Sequence, residues 1–76
     1  MLEKLLEVIN FIRANKSLNA LSEIKATDNL RNDLGFDSFD LAELTVRLED
    51  IFDIDIFEDG LVNTVGEILK KIEVDE

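Results

Sequence analysis

A chain of 76 residues without a cysteine or a histidine has room for one hydrophobic core, a single domain over 1–76, and no disulfide, thiolate metal site, thiol nucleophile or imidazole base. That double absence argues against a self-sufficient enzyme. Eighteen acids against eight bases, a formal charge of −10, disfavour nucleic acid and anionic membrane as partners and favour a protein with a Lys/Arg patch, while 46% hydrophobic residues are too many for a disordered acidic tail.

The first element is a helix. Leu2, Leu5, Leu6, Ile9 and Ile12 recur at helical spacing, Val8 and Phe11 widen the stripe, and Glu3, Glu7 and Asn10 fall on the other side. Asn15, Lys16 and Ser17 blur its end. Charges every few residues distinguish this start from a signal peptide, and no apolar run approaches the ~20 residues of a membrane span. The cytoplasm is the expected location.

From Ser17 to Asp37 no period persists. Leu18, Leu21, Ile24, Leu30 and Leu34 stand singly among polar residues, with a turn signal at Thr27, Asp28 and Asn29. A connection of about twenty residues is unusual in a small domain and often functional; its apolar residues predict that it is stapled to the core.

A second helix opens at Asp37 or Ser38, both good N-cap residues, after a turn permitted by Gly35. Leu41, Leu44, Leu48, Ile51 and Phe52 form its buried stripe. Phe39, Ala42 and Val46 make a second helical set rotated away from the first, bordered by Asp37, Asp40, Glu43, Glu49 and Asp50, with Arg47 the lone base. Asp53 to Phe57 alternates as a strand would, but without a partner strand it reads as an extended connector with Ile54 or Ile56 turned inward. Glu58 to Asn63 has room for one short helical turn. Thr64 and Glu67 form a capping box for a last helix with Val65, Ile68, Leu69 and Ile72 on one face. The expected fold is all-α: a small four-helix bundle of three main amphipathic helices and a short one, with a long first loop.

Ser38 sits between two aspartates where loop becomes helix. Its hydroxyl could cap the helix, act as a nucleophile, or be the substrate of another enzyme. The nucleophile reading lacks a base, since there is no histidine and no lysine is near in sequence, and there is no Gly-x-Ser-x-Gly elbow. A substrate serine needs only exposure at a fixed helix end and a docking surface nearby, and the positive end of the helix dipole suits a phosphodiester on that hydroxyl.

The heptapeptide Asp33, Leu34, Gly35, Phe36, Asp37, Ser38, Phe39 resembles the Asp-Leu-Gly-x-Asp-Ser-Leu signature of acyl carrier proteins. The likeness continues through Asp40 to Phe52 and returns at Thr64 to Glu67, in the family's order of elements. It departs at Phe57, where many members have proline, in a segment before Thr64 about two residues short, and at Arg47 on a surface usually acidic. The resemblance implies that Ser38 receives 4′-phosphopantetheine from coenzyme A through a magnesium-dependent phosphopantetheinyl transferase. The arm's thiol would then carry acyl groups, in fatty acid, polyketide or related biosynthesis, for loading ligases, transferases and synthases with basic docking patches. Asp37, Asp40, Glu43, Glu49 and Asp50 would meet those partners as a charged rim around Phe39, Ala42 and Val46. The same acids also read as solvated charges, and the same apolar set as core under the long loop. Leu48, Phe52, Ile56, Leu61, Val62 and Ile68 are candidates to line an acyl cavity, or simply core.

The expected molecule is a monomer, a carrier and not a catalyst. Alternatives are a carrier for an amino acid or aryl acid, of the D-alanyl or peptidyl type, and an unmodified acidic interaction module. A calcium loop does not fit: with Gly60 at the required glycine, Phe57 falls at a ligand position and Gly66 where the final glutamate belongs. No metal site is expected.

Overall fold

The computed structural model describes residues 2–56, 60 and 62–74. Its elements are α1 (Leu2–Asn15), α2 (Ser38–Phe52) and α3 (Val65–Val74), with no strand among the described residues. The short fourth helix expected within 58–63 falls largely outside those residues, as do Phe57 and Leu61, so three helices stand where four were expected. No helix among them is long and apolar enough to cross a membrane.

Helix α1 buries Leu5, Val8, Ile9 and Ile12. It ends in a Schellman motif: the Leu18 N–H donates to Arg13 O at 2.9 Å and the Ser17 N–H to Ala14 O at 3.0 Å, with Ser17 left-handed at φ 63°. Phe11, placed on the apolar stripe by its spacing, is half exposed and carries the Arg47 guanidinium over its ring, 4.2 Å from the centroid. Asn10, expected on the solvent side, instead clamps the loop: its amide donates to Leu21 O and accepts from the Leu21 N–H, at 2.9 and 2.8 Å.

The long loop is ordered by the core and by local hydrogen bonds. Ile24, Leu30, Leu34 and Phe36 are buried. Asn29 Oδ1 accepts from the N–H groups of Arg31 and Asn32, and Asp33 Oδ2 from the N–H of Asn29, which winds one turn. Gly35 then takes φ +77°, and a Cβ there would meet Leu18 Cδ1 at 3.2 Å, so both the dihedral and the space call for glycine.

Helix α2 buries Leu41, Leu44 and Leu48. Ile51, assigned to the same stripe by period, is 40% exposed: helical spacing marks a face, while its cover depends on the neighbours' packing. Asp53, left-handed at φ 58°, closes the helix through its N–H to Glu49 O. The connector turns both Ile54 and Ile56 inward.

The start of α3 is sewn to the loop by backbone pairs: Leu30 N to Asn63 O, Val65 N to Asp28 O and Gly66 N to Ala26 O, at 2.8 to 3.0 Å, around an antiparallel bridge between Asn29 and Thr64. The capping box at Thr64 forms in a shifted version. Thr64 Oγ1 accepts from the Glu67 N–H, while the Glu67 carboxylate reaches the N–H of Asn63, one residue earlier, at 3.3 Å.

Candidate functional site: the N-terminus of α2

Asp37, not Ser38, is the N-cap. Its extended backbone (φ −106°, ψ −172°) precedes the helix, and its Oδ1 accepts from the Asp40 N–H at 3.0 Å. Asp40 Oδ2 accepts in turn from the Asp37 N–H at 2.9 Å, a capping box built from two aspartates. Ser38 is thereby released from the capping role. It stands at the first helical position, exposed, and its hydroxyl makes no hydrogen bond among the described residues.

The Asp37 carboxyl is held below its ordinary value, first by the Asp40 N–H it accepts and then by its ties to the Asp40 side chain and the charge of Lys16. Lys16 reaches the same corner from the end of α1. Its ammonium lies 2.5 Å from Asp40 Oδ2 and 3.6 Å from Asp37 Oδ2, and the hydrogen bond to Asp40 is the main reason its pKa is raised. Arg13, one turn earlier, donates to Leu34 O at 2.6 Å. Sequence reading found no lysine near Ser38; Lys16 is near in space, at a separation of 24 residues from Asp40 that no local pattern reveals.

Phe39 is 87% exposed and Val46 66%, and Ala42, Glu49 and Asp50 share that outward face. The alternative that Phe39, Ala42 and Val46 pack under the loop is therefore wrong. Glu43 stands at the edge, half-buried, with Arg47 Nε at 2.8 Å. Arg47, seated between this carboxylate and the Phe11 ring, adds little free positive charge to the surface. Asp40 is the exception. It is only 8% exposed and turned towards Lys16, away from the outward face where its helical position had put it.

The corner fits a covalently attached phosphodiester arm. An unbonded, exposed hydroxyl projects from the first turn of a 15-residue helix, at the positive end of its dipole. A family model described as "Phosphopantetheine attachment site" matches residues 14–72, and no solved structure matches the chain. The chain belongs to the phosphopantetheine-attachment family. It is a phosphopantetheine-bearing carrier protein, its cofactor 4′-phosphopantetheine covalently bound, in a family of carriers rather than catalysts.

Proposed function

We propose that Ser38 is the attachment residue and that the chain is an acyl carrier of one domain, acting as a monomer. The observation that carries this reading is the free Ser38 hydroxyl at the first position of α2, inside the heptapeptide Asp33 to Phe39. Asp37 takes the capping role that would otherwise occupy the serine. Ser38 Oγ attacks the pantetheine-side phosphorus of the coenzyme A pyrophosphate and gives its proton to a base of the phosphopantetheinyl transferase; the P–O bond within the pyrophosphate breaks and adenosine 3′,5′-bisphosphate leaves. The chain itself needs no base, which agrees with its lack of histidine. When bound, the arm supplies a thiol on which cargo is held as a thioester.

Docking on the outward face of α2 follows from its exposure and charge. Phe39, Ala42 and Val46 supply an apolar centre; Asp37, Glu43, Glu49 and Asp50 surround it and steer a basic partner. Fatty acid or polyketide intermediates are the favoured cargo, given the acidic helix.

Incubation with coenzyme A, magnesium and a broad-specificity transferase should add the mass of one phosphopantetheine, and Ser38→Ala should abolish the gain. A wild-type mass unchanged by several transferases would sink the proposal. Offering the loaded protein to ligases for fatty, amino and aryl acids then separates the cargo classes.

A further inference from the structure

We infer that Lys16 is a positioning residue for Ser38: by bridging both carboxylates of the capping box, its ammonium fixes the backbone on which the serine is presented. This rests on the carrier reading above. The contacts form a ring. Lys16 Nζ touches Asp40 Oδ2 at 2.5 Å and lies 3.6 Å from Asp37 Oδ2; Asp40 Oδ2 also accepts from the Asp37 N–H, and Asp37 Oδ1 from the Asp40 N–H. Ser38 is the first helical residue inside it.

The cation is itself held. Lys16 is the residue at which α1 stops, and the Schellman hydrogen bonds of Ser17 and Leu18 set the direction in which it leaves the helix. Arg13 grips Leu34 O from the same end of α1, so two cations hold the approach to Ser38 at two points, on the helix terminus where positive charge is favoured.

An exposed ion pair would have little effect. Here the Lys16 side chain is 28% exposed and that of Asp40 11%. A carboxylate so enclosed, deprived of its cation, is driven to turn towards water, and would take the hydrogen bond to the Asp37 N–H with it. The result is a displaced Ser38 on a docking face altered only at Asp37, since among the described residues Phe39, Ala42, Val46, Glu49 and Asp50 share no hydrogen bond or ion pair with Lys16.

The test uses the full chain with a phosphopantetheinyl transferase, coenzyme A and magnesium, well below the melting temperature. Lys16→Met should lower kcat for attachment about tenfold with KM for the carrier within about twofold of wild type, because misplacing one reacting atom costs rate before it costs docking. In the unmodified protein, exchange of the Asp37 and Asp40 amide protons should quicken by about tenfold as their acceptors loosen. Lys16→Arg, which can bridge the same carboxylates, should restore both. On an Asp40→Asn background, Lys16→Met should add little. A Lys16→Met protein with a lowered melting temperature but wild-type kcat and amide exchange would overturn the inference, as would a rise in KM alone, which would make Lys16 a docking contact. If wild type accepts no arm, the carrier reading falls and takes this inference with it; if it accepts one and Lys16→Met does so equally well, this inference alone falls.

Discussion

Asp37 does two things with one carboxylate: Oδ1 caps the helix and Oδ2 faces Lys16. Its folded pKa lies below the ordinary value of 3.8, so its contribution to stability is complete above that value and disappears as pH falls through the folded one. The melting temperature, followed by circular dichroism from about pH 6 to about pH 2, should therefore decline on the acid side. Asp37→Asn keeps an acceptor for the Asp40 N–H and loses the charge, and should flatten part of that decline. Lys16 has the opposite sign. Its pKa is raised above 10.5, so its contribution holds below that value and is lost as pH climbs through the higher folded one. Lys16→Met should show less of the alkaline decline when the same melts are carried above about pH 10. At this scale the exposed place of Ser38 at a helix start was legible, because Gly35 and Asp37 mark the turn before it. The division of labour between Asp37 and Asp40 was not, because both sit on one helix turn and only the distant Lys16 decides which carboxylate turns inward.

Each helix was legible from its period, and the long loop from the lack of one. The period did less well at the edges of faces. It put Phe11 and Ile51 inside, where they stand half exposed, and Asn10 outside, where it binds Leu21. Cover by a neighbouring element is a tertiary property. The two faces of α2 should separate in mutation. Leu44, fully buried, should cost about 2–5 kcal/mol when replaced by alanine, read from urea unfolding. Phe39→Ala should change stability by less than about 0.5 kcal/mol while slowing reaction with a docking partner. At the start of α3, a Cβ on Gly66 would meet Ala26 O at 3.0 Å. Gly66→Val should destabilise by about 1–3 kcal/mol and quicken amide exchange at Leu30 and Val65, whose hydrogen bonds flank that contact.

A net charge of −10 on 76 residues sets the response of the whole molecule to salt. Self-repulsion is screened as salt rises, so the melting temperature should increase between about 0.01 M and about 0.5 M sodium chloride. Association with a basic partner should slow over the same range, a divergence that stopped-flow and thermal melts on one sample would reveal. Charge and composition were open to reading from the start, since they depend on no contact. The pairing of the loop with the start of α3 was hidden, because it is made by main-chain groups, which every sequence possesses alike.

That pairing bears on when the protein becomes usable. The amides of Leu30 and the carbonyls of Ala26 and Asp28 find their mates only at Asn63, Val65 and Gly66. A nascent polypeptide halted short of those positions has already synthesised its serine but lacks the clasp that settles the segment leading to it. On the attachment reading proposed above, competence for modification thus waits for Asn63 to Gly66, and copies halted before them offer the transferase a poorly seated target.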